Sequence, residues 1–319
     1  MKEKFRYVKK EDRKKILLLC DDIRMHSGIA TMAREIVVGT AHHFNWINLG
    51  AAINHPEVGK GFDISGEVNR LTGLEDSDVK VLPNNGYGEA MQIRQLIAQE
   101  KPDAIFLITD PIYFTWLFQI ENEIRKKIPI AYLNIWDDYP APMYNKEFYE
   151  SCDALFGISK QTVNINNIVL GEKAKNKVVR YVPHGLNEKL MHPITPEDPS
   201  WENLQTFKKQ FFEGKEYDFV LFFNSRNIRR KQIPDTMLAY KFFIDQLPEE
   251  KAKKCCFVLH TELINEHGTD LSAIQELFLN EEKYNIIITN KIFNNYEMSL
   301  LYNITDAQIL LTSNEGWGL

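Results

Sequence analysis

The chain has 319 residues, 44% hydrophobic and 26% charged, with a net charge of −6. Its length exceeds one ordinary core and predicts two domains of about 150 residues each, while the acidic balance argues against a general nucleic-acid binder, which shows a basic excess over a whole face. Cys20, Cys152, Cys255 and Cys256 form no C-x-x-C pair, no apolar run reaches bilayer-spanning length, and Met1–Arg6 lacks a signal-peptide core; together these predict a soluble cytoplasmic protein, with peripheral membrane contact left open.

Taken in order, Lys15–Cys20 reads as a buried strand, followed by the loop Asp21–Gly28 and a helix from about Ile29 that sets Met32, Ala33, Ile36 and Val37 on one face. Gly28 stands alone and does not form G-x-G-x-x-G, which argues against a dinucleotide. It is either a helix cap or a backbone position that lets a sugar or phosphate approach closely. Phe44–Leu49 suits a second strand, and Gly59–Gly73 carries no clear element. Strands are then predicted over 79–82, 104–108, 128–134, 154–158 and 178–182, with helices through Met91, Ile93, Leu96 and Ile97 and over 115–125. Ser159 is a candidate helix N-cap. Such β-α alternation implies a doubly wound parallel sheet.

From Leu190 to Trp201 the alternation stops, and Pro193, Pro196 and Pro199 stiffen a polar stretch. The domains are therefore placed at 1–190 and 201–319, with 191–200 as linker. The second half alternates again: helix 201–212, strands at 219–223, 255–260, 284–289 and 307–312, and helices at 271–279 and 296–302. This is a second Rossmann-like unit, and two such units facing a cleft would bind a ligand there.

The strand Phe219–Phe223 breaks into Asn224-Ser225 and a turn carrying Arg226, Arg229, Arg230 and Lys231. Pro234 and Asp235 suit the first turn of the helix that follows, whose apolar positions are Ile233, Met237, Tyr240, Ile244 and Leu247. A charge run is commonly a solvated face. Here the cations sit at a strand's carboxyl end ahead of a helix, which favours an anion, most simply phosphate. The final segment, Thr312-Ser-Asn-Glu-Gly-Trp-Gly-Leu319, offers backbone N–H groups around Gly316 and Gly318 and a carboxylate, Glu315, for hydroxyls. The two loops together supply the parts for a sugar attached to a diphosphate.

These motifs resemble the donor site of retaining GT-B glycosyltransferases of the GT4 type. The resemblance rests on Ser313-x-x-Glu-Gly-Trp-Gly-Leu319, on Tyr302 and Asp306 before it, on Arg226 and Lys231 at Arg-x4-Lys spacing, and on Val182-Pro-His-Gly-Leu-Asn187. It is strong from Val178 onward and thin before it. It implies two Rossmann-like domains, a nucleotide-diphosphate sugar as donor substrate, no cofactor and no metal. Arg226 and Lys231 would neutralise the leaving diphosphate. Glu315 would sit by the donor sugar, with Ser225, Gly28, Gly316, Trp317, Gly318 and Leu319 in the donor-binding set. His184, in the strand-end turn, fits a hinge-side loop residue better than a catalyst.

Three departures are visible. Gln232 follows the lysine where a glycine is common. The histidine that many relatives carry after a first-domain strand is replaced by Trp136-Asp137-Asp138, whose carboxylates either position or deprotonate an acceptor hydroxyl or belong to a solvated loop. The family's second glutamate, which binds the ribose, falls beyond Leu319, so the second domain reads as incomplete and the chain as a fragment or as completed by a partner. The acceptor, whether glycan, lipid, protein or small molecule, is not readable. Rival readings are a GT-B epimerase or phosphorylase, and a non-catalytic nucleotide-sugar or nucleic-acid binding protein.

Overall fold

The computed structural model describes residues 7–317. The chain forms two compact units: one runs to Gly185 and also takes in Glu315 onward, and the other is Leu186–Asn314.

The first unit is built on an eight-stranded sheet. Its strands are β1 (Lys14–Asp21), β2 (Phe44–Ala52), β3 (Phe62–Asp63), β4 (Val79–Asn85), β5 (Ala104–Ile108), β6 (Ile130–Asn134), β7 (Ala154–Gly157) and β8 (Val178–Tyr181). They lie in the order β3-β4-β2-β1-β5-β6-β7-β8. All neighbours pair in parallel except β3 with β4. The central strand explains the arrangement. Leu17 and Leu19 of β1 enter one core with Ile47, Ile105 and Tyr132, while Leu18 and Cys20 enter another with Ala33, Val37 and Val81. A continuous apolar run is what a parallel sheet covered on both faces requires. Each fully buried Leu contributes about 2 kcal/mol.

On one face the helix Gly28–Thr40 buries Ala30, Met32, Ala33 and Val37. Ser159 is the N-cap of the helix Lys160–Leu170, its hydroxyl accepting from Thr162 N at 2.9 Å. Two helices lack a sequence signal. Ser65–Thr72 buries only Val68, and Lys146–Glu150 is five residues long, so neither displays a helical period. The single helix expected over 115–125 is instead a 3-10 turn, Pro111–Phe114, and two short helices, Thr115–Phe118 and Glu121–Ile124. Phe114 and Ile120 leave the helical region between them, at φ −109° and −113°.

The second unit has four parallel strands, β9 (Phe219–Asn224), β10 (Cys255–His260), β11 (Asn285–Thr289) and β12 (Ala307–Gln308), in the order β11-β10-β9-β12. Alternation again sorts the faces. Phe223, Phe257 and Leu259 pack against Ile233, Met237, Tyr240 and Ile244 of the helix Ile233–Asp245. Val220, Phe222, Cys256 and Val258 pack against Leu204 of the helix Trp201–Phe211 and Leu300 and Leu301 of the helix Asn295–Asn303. The proline-bearing stretch before Trp201 joins this core through Ile194, whose N–H donates to Asn303 Oδ1 at 2.7 Å. β12 stops four residues short of the expected Thr312. Beyond Ile309, whose N–H still reaches Phe222 O at 2.9 Å, the chain turns away so that Ser313 N can donate to Arg230 O at 3.0 Å.

Candidate functional site

In the second unit, β9 delivers the basic loop at the carboxyl edge of its sheet. Asn224 ends the strand. Its side chain donates to Tyr302 Oη at 3.0 Å and bonds His260 Nδ1 at 2.8 Å, so the motif tyrosine supports the strand end. Ser225 N donates to His260 O at 3.3 Å. Arg226 and Arg229 are exposed, whereas Lys231, at the end of the 3-10 turn Arg229–Lys231, is buried at 6% exposure. Gln232 takes a left-handed conformation, φ 46°, directly before the helix Ile233–Asp245. A glycine would adopt that conformation without strain, so Gln232 carries a backbone strain that the glycine of the resembled motif would not.

Two anchors fix this loop. Asn227, 1% exposed, donates from Nδ2 to Glu262 O at 3.0 Å and Thr269 O at 2.7 Å and accepts from Thr269 N at 3.1 Å. Arg230 donates from Nη1 to Asn314 O at 2.7 Å, and its own carbonyl accepts from Thr312 Oγ1 at 3.1 Å. The basic loop and the segment Thr312–Asn314 are therefore held against each other. Asp306 has a structural part: its carboxylate accepts from Val220 N at 2.7 Å and aligns β12 on β9.

In the first unit the parallel strands bring several sequence-picked residues to one edge. After β1, Asp21 accepts from Ser27 Oγ at 2.5 Å and from Tyr87 Oη at 2.6 Å. Burial and the Asp21 carboxylate push the Tyr87 hydroxyl well above the usual tyrosine value, so it stays a donor. The N-cap of the next helix is Ser27, which accepts from Ala30 N at 3.0 Å; Gly28 is the first helical residue, and a Cβ there would meet nothing within 4 Å. Gly28 is thus not the cap. Asp22 is fully buried, bonded by Arg24 and by His55 Nε2 at 3.0 Å. Nothing in the sequence marked this pair.

After β6, the Trp136 indole donates to Asp138 O at 2.7 Å, Asp138 Oδ1 accepts from Tyr139 N at 2.8 Å, and Gln161 Nε2 reaches Asp137 O at 3.3 Å. The Asp137-Asp138 loop is therefore ordered by its own hydrogen bonds. Of the final segment, Trp317 donates from Nε1 to Ile158 O at 2.6 Å and its ring lies 5.9 Å from that of His184. Glu315, Gly316 and Trp317 group with the first unit, and Arg226, Ser225 and Lys231 with the second. Gly318 and Leu319 lie outside the described residues.

A depression of about 640 Å³ opens at the opposite, amino-terminal edge of the first sheet, among Lys10, Arg13, Lys15, Asp78, Glu100 and Asp103. Its charges pair with one another or their neighbours, as in Lys15–Glu100 at 3.4 Å and Lys14–Asp103 at 2.8 Å. That edge is self-neutralised and lies opposite the strand-end loops of its own sheet. Among the described residues, no group of three or more His, Cys, Asp or Glu side chains is arranged to hold a metal ion, and no helix is long and apolar enough to cross a membrane.

No family model matches the chain, and no curated protein matches it in sequence. Solved structures do match. One is described as E. coli trehalose-6-phosphate bound with UDP-2-fluoro glucose, at TM-score 0.62 and 11% identity, covering 95% of this chain and 79% of that one. Another is an α,α-trehalose-phosphate synthase (UDP-forming) from Burkholderia vietnamiensis, at TM-score 0.61 and 11% identity, covering 92% and 77%. A third is a glycosyltransferase from Rickettsia africae ESF-5, at TM-score 0.58 and 15% identity, covering 94% and 73%. The chain shares the GT-B fold. At this identity the likeness is one of fold, with two Rossmann-like units matched over nearly the whole chain. In open α/β sheets ligands bind at the carboxyl ends of the strands, and the basic loop and the Asp21–Tyr87 cluster each stand at such an end of their own sheet.

Proposed function

We propose that this chain is a glycosyltransferase that moves a sugar from a nucleoside-diphosphate sugar to an acceptor hydroxyl with retention of configuration. The observation that carries the reading is the basic loop of a GT-B second unit, anchored on both sides at a strand's carboxyl end. Arg226 and Lys231 take the charge of the diphosphate. A phosphate oxygen about 4 Å from the Lys231 ammonium gains about 4 kcal/mol at a partly buried site, against about 1 kcal/mol in bulk water. This difference is what makes a cation at 6% exposure useful for leaving-group departure.

In the reaction the bond from the sugar's anomeric carbon to the diphosphate oxygen breaks, and a bond from the acceptor oxygen to the same carbon forms on the face that the diphosphate leaves. The acceptor proton passes to a diphosphate oxygen. Ser225 and the backbone around Gly316, Trp317, Gly318 and Leu319 would contact phosphate and sugar, with Glu315 accepting from sugar hydroxyls. Gly28 leaves its loop open for close approach, and Asp137 and Asp138 are the carboxylates available to orient an acceptor.

UDP-glucose is the first donor to try, because one matched structure carries a UDP-sugar analogue and another is UDP-forming. Release of free nucleotide from UDP-, GDP- and ADP-sugars, with and without added acceptor, tests the proposal. Nucleotide release dependent on acceptor supports it; no release from any donor together with no UDP binding overturns it. Phosphate-dependent breakdown of a glycan without nucleotide would instead indicate a phosphorylase.

A further inference from the structure

A second depression, about 410 Å³, lies at the carboxyl end of β4 and is lined by Asn84, Asn85, Glu89, Met91, Gln92 and Gln95. Four of those six side chains are carboxamides. Three of them, Asn84, Asn85 and Gln92, are oriented by the protein itself. Asn84 accepts from Gln92 Nε2 at 2.8 Å and donates to Asn85 O at 3.2 Å and Gly86 O at 3.0 Å. Asn85 Oδ1 accepts from His55 N at 2.7 Å. Asn84 is engaged at both ends, whereas the other bonds use one end of Gln92 and of Asn85 and leave the rest for a ligand: Gln92 Oε1 as acceptor, the second Gln92 N–H and the Asn85 amide hydrogens as donors.

Gly88 keeps the floor open. It sits at φ 93°, and a Cβ there would come within 3.2 Å of Trp116 Cζ2 and 3.3 Å of Gln92 Oε1. Next to it, Tyr87 carries the bond to Asp21, so the depression adjoins the strand-end cluster at the carboxyl edge of the sheet, where open α/β folds bind ligands.

The lining sorts ligand classes. No cation lines it, and the Glu89 carboxylate disfavours an anion, so a phosphate or carboxylate has no charged partner here. Met91, exposed at 62%, is the one large apolar side chain of the lining, too little to hold an acyl chain or an aromatic ring but enough for the C–H face of a pyranose. Amides that donate and accept side by side match vicinal hydroxyls. We propose that this depression is a subsite for a neutral saccharide, which, on the transferase reading above, is the acceptor.

The test is ligand-observed NMR of the full chain with glucose, galactose, mannose, N-acetylglucosamine, maltose and glucose 6-phosphate, with UDP titrated into the same samples. Binding of a neutral sugar that weakens about tenfold in Gln92→Leu and again in Gln95→Leu, with UDP binding unchanged, is expected from the loss of one or two amide hydrogen bonds. Both positions face solvent in part, so neither change disturbs the core, and circular dichroism checks this. Three results would each overturn the subsite: no neutral sugar of the panel binds, glucose 6-phosphate binds more tightly than glucose, or both variants bind as the parent does. UDP binding without sugar binding would leave the transferase reading standing while the subsite falls. Sugar binding without UDP binding and without nucleotide release from any donor sugar would do the reverse.

Discussion

Asn227 and Thr269 exchange hydrogen bonds, Asn227 Nδ2 to Thr269 O at 2.7 Å and Thr269 N to Asn227 Oδ1 at 3.1 Å, and so lock the basic loop after β9 to the loop after β10. The lock depends on a missing side chain. A Cβ on Gly268 would overlap both the Asn227 amide and the Asn227 carbonyl oxygen. Gly268→Ala must displace Asn227, and overpacking of this kind costs about 1–3 kcal/mol. The expected result is a lower melting temperature and weaker UDP binding together. Unchanged UDP affinity, read by calorimetry, would mean that the anchor does not position the cations.

Arg226 and Lys231 differ in burial, and their variants should differ accordingly. Arg226→Ala removes an exposed guanidinium, so unfolding is expected to stay within about 0.5 kcal/mol of the parent. Lys231→Met keeps most of the buried stem while deleting the charge. Each is expected to slow sugar transfer by about a hundredfold or more, the magnitude seen when one charge-stabilising donor is removed. Near-normal turnover in both would sink the leaving-group role.

The parts of this molecule that were legible from residues alone are those with a local period. β1 and β9 show as unbroken apolar runs because both faces of each are covered, and Ser159 shows as a cap because the pattern of its helix starts beside it. The helix Ser65–Thr72 stayed hidden since Val68 is its only buried residue. β12 looked longer than it is because apolar Ile309, Leu310 and Leu311 continue past the point where Arg230 draws the chain away. Asn227, Arg230 and the Asp22–His55 pair carry no period at all. Their partners are supplied by strand register: the pairing of Asp21 with Ala51 puts the end of β1 beside the loop that carries His55.

That register creates a buried ionic cluster whose removal is measurable. Asp22 accepts from Arg24 Nε at 3.0 Å and Nη2 at 2.6 Å and from His55 Nε2 at 3.0 Å. His55 Nδ1 accepts from Glu57 N at 3.1 Å, which places the imidazole proton on Nε2. Burial raises the Asp22 carboxyl, but its bonds from Arg24 and then His55 outweigh this and hold it below the usual aspartate value. Because the folded value is the lower one, the stabilisation is present above about pH 4 and is lost as pH falls through the folded value. Arg24→Met should destabilise the chain by about 3 kcal/mol at pH 7, since it leaves a buried carboxylate short of its main partner. Urea unfolding should show the deficit shrinking below pH 4; a deficit independent of pH would assign it to packing alone.

His184 shows the same sign from a different cause. It follows β8, where Val182 N bonds Gly157 O at 2.9 Å, and its ring lies 5.9 Å from Trp317 while its Nδ1 is buried without a hydrogen-bond partner among the described residues. Burial pushes the imidazole down to about 4 from the ordinary 6.5. Between those two values the unfolded chain holds a proton that the folded chain refuses, so stability falls as pH drops from about 6.5 toward about 4 and is unaffected by this group above 6.5. His184→Phe keeps an aromatic ring beside Trp317 and removes the titration. Urea unfolding at pH 7.5 and pH 5 is expected to show a smaller loss of stability for His184→Phe than for the parent chain. An equal loss in both would mean that His184 is solvated in solution and that the ring contact with Trp317 does not persist there.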